Sequence, residues 1–183
     1  MFISVCICVL LQLLPSKMFM IIMFIHSLLI AEFKQRVSDV YKQDWYSDVC
    51  TKDKLRTYRN FKSMLEPEKY LLEITELKYR HALARMRCSF LGLRVQEGSY
   101  IGIDIEDRIC EICSEGVEDE FHVIFVCPLY QNLRYLLPFN DNDFPSDDKF
   151  FALMRLKSHI MLRNLGKFIY KAMILRKEFY LKS

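Results

Sequence analysis

A mainly α-helical fold is predicted for this chain: a small helical domain carrying one compact Cys/His loop. Three observations predict it. Between residues 44 and 90, and again beyond residue 118, apolar residues recur at helical rather than alternating spacing. Only 5 Gly and 5 Pro punctuate the 183 residues, and aromatic residues reach 14 %, which is core-forming area. Finally, Cys110, Cys113, His122 and Cys127 follow one another as Cys-x2-Cys-x8-His-x4-Cys. The length fits one ordinary domain, or one small domain with an appendage.

The first segment, residues 1–31, stands apart. Residues 2–14 and 18–31 are almost uncharged and are separated by Pro15, Ser16 and Lys17. Each run is shorter than the ~20 residues of a spanning helix, although a span over residues 13–33 is feasible with Lys17 reaching the headgroups. A membrane anchor is therefore one reading; Lys34 and Arg36 after it would place the carboxyl side in the cytosol. A secretory signal lacks the preceding cation and the small-x-small cleavage site. A non-native extension and a buried core helix are the other readings.

From residue 44 the domain proper is expected to run to 137. Over 44–65, Trp45, Val49, Leu55, Tyr58 and Phe61 fall on the inward side of a helical pattern. Pro67 suits a first helical position, with Glu68 in the first turn. One long helix is expected over 68–90, where Tyr79, Leu83, Met86 and Phe90 form a single stripe. Gly92 and Gly98 interrupt the pattern, and the β-branched residues of 93–105 suggest a short strand pair. Three acids open a short helix over 118–126, which suits the positive end of a helix dipole. Pro128 stops it, and another helix spans 129–137 up to Pro138. Residues 138–148 form an acidic loop of turn chemistry. Ser146 caps a helix over 147–158, and a last basic helix covers 159–181 within the carboxyl-terminal region 149–183.

The net charge of +3 conceals a division. Residues 1–50 carry 4 Lys/Arg against 4 Asp/Glu, 51–100 carry 11 against 6, 101–148 carry 2 against 12, and 149–183 carry 9 against 1. The chain is basic, then acidic, then basic, which suits a local phosphate-binding face without requiring one. No Gly-rich phosphate loop, GxSxG or HExxH occurs, so the enzyme classes those motifs mark are excluded, and no small-molecule substrate is indicated.

Three thiols and one imidazole are the soft and borderline donors that a tetrahedral zinc requires. Four protein ligands leave no open position, so the zinc would be structural, in a compact knuckle-like loop. On an ideal helix, positions 122 and 127 diverge by about 140°, so the helix must end or distort at Cys127; Pro128 favours this. Buried free thiols, a redox pair and a disulfide framework are the alternatives. Cys6, Cys8, Cys50 and Cys88 read as small core residues, and His26, His81 and His159 as structural or surface residues.

Arg85-Met-Arg, Glu97-Gly-Ser-Tyr, Arg108-Ile-Cys-Glu-Ile-Cys and Val117-Glu-Asp-Glu-Phe-His-Val-Ile-Phe-Val-Cys-Pro-Leu-Tyr together resemble the zinc-binding segment that follows the polymerase in non-LTR (LINE-type) retrotransposon reverse transcriptases. The resemblance covers about residues 54–137, and Leu165-Gly-Lys-Phe-Ile-Tyr is similar to the helix that often follows. It implies Cys110, Cys113, His122 and Cys127 as metal ligands, DNA or RNA as partner, and a nuclear or cytoplasmic location. Ser89-Phe90-Leu91-Gly92 departs from the polar or His-containing stretch expected there. The sole Asp-Asp pair, Asp147-Asp148, lies in a Pro-Ser loop without a third carboxylate, so a two-metal polymerase centre has no residues. The chain is thus expected to be non-catalytic, a detached carboxyl-terminal piece of such an enzyme. Nucleic-acid contact would fall to Lys54, Arg56 and Arg59, to Arg80, Arg85 and Arg87, and to Lys167 and Lys171 one helical turn apart. A helical protein-interaction module, soluble or membrane-tethered, and an inert transposon remnant are the other functional readings.

Overall fold

The computed structural model describes residues 16–139 and 145–182 and is mainly helical, with no β-strand among them. Residues 1–15 of the hydrophobic segment and 140–144 of the acidic loop lie outside the described residues. The chain divides after Ser47 into two units.

In the first unit, helix α1 (Ser16–Thr51) carries an apolar stretch whose Met20, Phe24 and Phe33 are all exposed. Further along, i,i+4 contacts support it: Arg36 to Glu32 at 2.6 Å and Gln35 to Asp39 at 2.9 Å. No described helix is long and apolar enough to cross a membrane. The described apolar residues and those that follow them form one continuous helix as far as Thr51.

The second unit, Asp48–Ser183, contains the end of α1, then α2 (Lys69–Glu73), α3 (Leu77–Arg87), α4 (Arg94–Tyr100), α5 (Asp147–Met154) and α6 (His159–Lys182). Helix α6 is its axis and packs chiefly on α3 and on the 3₁₀ turn Pro128–Leu136. Leu162, Leu165, Phe168, Ile169 and Ala172 of α6 meet Leu83 and Met86 of α3 in one core, all of them almost completely buried. Gly166 permits that approach: a Cβ there would stand 2.7 Å from the Tyr79 carbonyl oxygen. Gly166→Ala should therefore force α3 and α6 apart and lower stability by about 1–3 kcal/mol. An unchanged midpoint in urea denaturation would contradict the close crossing.

Four local expectations are corrected. The long helix over 68–90 is two helices, because Ile74 and Glu76 take extended backbone (ψ 109° and 107°). Ile74 buries completely at this break, so it keeps the apolar periodicity while interrupting the helix. Phe90, placed on the inward stripe, is 53 % exposed beyond the end of α3. Residues 94–100 are helix α4 rather than a strand; Val95 donates its N–H to Glu118 O at 3.1 Å, and the only strand-like pairing among the described residues is the isolated bridge between Ile109 and Val117. Past Thr51 the 44–65 pattern resolves into two 3₁₀ turns, Asp53–Leu55 and Tyr58–Asn60. By contrast Ser146 does cap α5, its Oγ accepting from Lys149 N–H at 3.3 Å, although that helix ends at Met154.

Arg87 is a further correction. Grouped by sequence with the phosphate-facing cations, it is 2 % exposed and ties α3 to the rest of the unit. It donates to Glu68 at 2.5 Å and to the Met154 carbonyl at the end of α5, and lies over the Tyr70 and Phe61 rings at 4.7 and 5.1 Å. A buried cation must be paired, and here it is.

Candidate metal centre

The site begins as a tight hairpin. Cys110 N–H donates to Gly116 O at 2.9 Å and Glu118 N–H to Arg108 O at 3.0 Å, closing residues 108–118 into a loop. Within it Ser114 N–H returns to Cys110 O at 2.8 Å, turning the chain so that both Cys side chains face one point. The turn is made by Ser114 at φ +58° and Gly116 at φ +99°, the left-handed conformation that Gly adopts without a Cβ penalty.

The other two ligands come from a turn of unusual width. Asp119 Oδ1 accepts the His122 N–H at 2.8 Å and opens it. His122–Val126 is then a π turn, closed by Cys127 N–H to His122 O at 2.9 Å, five residues back. Widening the turn by one residue draws positions 122 and 127 towards one side, which an ideal α-helix cannot do. Cys127 leaves helical dihedrals (φ −59°, ψ 124°) immediately before Pro128, as the sequence predicts. Arg134 secures this end by donating to Ile124 O and Cys127 O, each at 2.8 Å.

The ligating atoms of Cys110, Cys113, His122 and Cys127 all lie within 4.8 Å of one another, and Cys113 Sγ is 3.3 Å from His122 Nε2. An ion about 2.3 Å from each sulfur, in a tetrahedron, needs sulfurs about 3.8 Å apart. Small shifts therefore suffice, and this Cys₃His group could hold a metal ion. Cys110, His122 and Cys127 are buried and Cys113 is half-buried. Burial pushes the Cys127 thiol up to about 12 and raises Cys110 as well, while it lowers His122, which keeps the imidazole in the neutral form that binds metal. A bound cation reverses the thiol preference by taking the thiolate outright. Tyr130 packs in the same core as Cys110 and Cys127. It is wholly buried, and its hydroxyl has no hydrogen-bond partner among the described residues. Burial raises its pKa, as do Glu118, Cys127 and Cys110 nearby.

Among the described residues no disulfide forms. Cys50 is exposed rather than a core residue, and Cys6 and Cys8 lie outside the described residues. His26, His81 and His159 are exposed, in keeping with surface residues.

The sequence reading missed the acids beside the ligands. Glu118 is completely buried and receives Arg176 in a two-pronged ion pair, Nε to Oε1 at 2.7 Å and Nη2 to Oε2 at 2.8 Å. Glu120 is 1 % exposed and pairs with Arg56, while its other oxygen accepts from Gln96 Nε2 at 3.1 Å. Part of the basic–acidic–basic division is therefore satisfied inside the unit. The opposite net charges of 101–148 and 149–183 were the available signal.

The predicted phosphate-binding cations do not converge on the metal loop. Lys54, Arg59 and Arg85 are exposed; Arg56, Arg80, Lys167 and Lys171 are half-buried; Arg87 is interior. Arg80 donates to Leu71 O at 3.1 Å and Arg85 to Phe90 O at 2.9 Å, so both help terminate neighbouring segments. No family model, curated protein or solved structure matches the chain.

Proposed function

We propose that Asp48–Ser183 is a non-catalytic, zinc-stabilised nucleic-acid-binding module of the kind found after the polymerase in LINE-type reverse transcriptases. The observation that carries the zinc is the convergence of the Cys₃His donors from a Cys-x2-Cys hairpin and a π turn ending in Cys-Pro. Three thiolates and an imidazole favour zinc over the hard cations, which take oxygen ligands. With all four positions filled by protein, the ion has a structural rather than a catalytic role. Its work is to join the 108–118 hairpin to the 122–127 turn, both of which support α4 and α6 through Glu118.

Binding is supported by the exposed cations at Lys54 and Arg59 and by Lys167 and Lys171 on one face of α6. The acidic metal loop is not the contact surface. The test is fluorescence anisotropy of the zinc-loaded full chain with a labelled oligonucleotide across a salt titration. The logarithm of affinity should fall linearly with the logarithm of salt, by about 0.7–0.9 per phosphate contact. A salt-independent complex would mean that phosphate contacts do not carry the binding, and no complex at low salt would refute the nucleic-acid role.

A further inference from the structure

We infer that the open groove between the carboxyl end of α1 and helix α4 is a binding track for single-stranded nucleic acid; this deepens, and rests on, the nucleic-acid reading. The groove has a volume of about 1120 Å³ and is built by three segments. One wall is the end of α1 with the two 3₁₀ turns behind it, bearing Lys52, Lys54, Arg56 and Arg59. The other is α4, with Gln96, Ser99 and Tyr100, and Ile105 and Arg108 close the end.

Five cations line this groove, and no carboxylate does so among the described residues. Two of the five are paired from outside it, Lys52 with Asp48 at 2.5 Å and Arg56 with Glu120. Among the described residues, this excess of three positive charges is what a phosphodiester backbone neutralises. The acids Asp104, Glu106 and Asp107 beside Ile105 are not on the wall.

The cations are also positioned. Arg108 spends its donors on Ile103 O (3.0 and 2.7 Å) and Val95 O (2.8 Å), so its charge is fixed in the groove instead of swinging to a carboxylate. Gly98 makes room for it: a Cβ there would lie 2.7 Å from Arg108 Cγ. Glu120 holds Arg56 and Gln96 together across the two walls. Arg59 is anchored through Lys52 O at 2.8 Å. Tyr100, 66 % exposed at the edge, presents a ring on which a base can stack. A concave basic channel with an aromatic edge suits an unpaired strand, whose bases are free to leave the backbone track; a duplex offers no such face.

The test measures binding of the zinc-loaded full chain to a labelled oligo-dT strand and to a duplex of equal length. The variants are Lys54→Glu/Arg59→Glu, Tyr100→Ala, and Lys167→Glu/Lys171→Glu, each checked for an unchanged melting temperature. Lys54→Glu/Arg59→Glu should weaken strand binding at least tenfold and reduce the salt slope by about 2, one per cation removed. Tyr100→Ala should weaken it about tenfold with the slope unchanged. The α6 pair should weaken binding less than the groove pair does. If the α6 variant loses binding while the groove variants keep it, the groove assignment is overturned but the nucleic-acid reading stands. Preference for the duplex overturns the single-strand assignment. Failure of the parent chain to bind either probe overturns both.

Discussion

Cys113→Ser should sharply destabilise the zinc-loaded Asp48–Ser183 unit and hardly affect the metal-free one. The asymmetry follows from where Cys113 sits. Its side chain is half-buried, so exchanging sulfur for oxygen costs little packing; Cys110 and Cys127 are buried in the core and would cost packing with or without metal. What Cys113→Ser removes is the fourth ligand, and structural metal binding is folding free energy. An ion present at a thousand times its Kd adds about 4 kcal/mol to stability, and that is the scale of the expected loss. Urea denaturation of parent and variant, each with zinc and with a chelator, gives the four midpoints. Equal loss in both conditions would mean a packing effect and no metal. The pH response carries a second signature. In the metal-free protein burial raises Cys127 from 9.0 to about 12, so that stability is fully present below pH 9 and is lost as pH rises towards 12. His122, lowered by burial from 6.5, contributes stability above pH 6.5 that is lost on acidification with or without metal. Zinc converts the thiols to thiolates and abolishes the alkaline loss. Both extremes therefore separate the two forms: alkali destabilises only the metal-free protein, and acid strips the metal from the zinc-loaded one by protonating its thiolates.

The Cys₃His cluster was legible in the sequence because it is local: two turns bring it together, and each turn is set by a few residues such as Gly116 and Pro128. The distortion at Cys127 could likewise be deduced from the helical period and the proline. Legibility ended where tertiary partners decide. Ile74 preserves the apolar rhythm of a continuous helix, yet it buries at a break, and nothing within ten residues signals the extended backbone of Ile74 and Glu76. Val95, Ile101 and Ile103 suggested strand, but among the described residues there is no neighbouring strand to pair with, and Val95 N–H bonds Glu118 O from within a helix. Arg87 looked like its exposed neighbour Arg85. Only the placement of Glu68 and Met154, 19 and 67 residues away, makes it interior.

Glu118 makes the second large prediction. Its three acids were read as a helix opening, where a carboxylate contributes a few tenths of a kcal/mol to about 1 kcal/mol from solvent. In the folded chain it is a completely buried junction: Oε2 accepts the Arg94 N–H at 2.9 Å as well as Arg176 Nη2, and Oε1 takes Arg176 Nε. Its backbone pairs with Arg108 O and Val95 N–H. One residue thus links the metal hairpin, α4 and α6. Removing the carboxylate leaves Arg176, whose side chain is 14 % exposed, without its counter-charge. Breaking one partner of a buried pair costs about 3–5 kcal/mol. Glu118→Gln should therefore destabilise the unit by that amount while keeping its volume. Arg176→Met on the same background should restore part of the loss, because no buried guanidinium is then left without its counter-charge. A chemical-denaturation cycle of the parent, both single variants and the double variant measures the coupling. Additive losses would show that the two charges do not depend on each other, and that α6 is held to the metal hairpin by apolar packing alone.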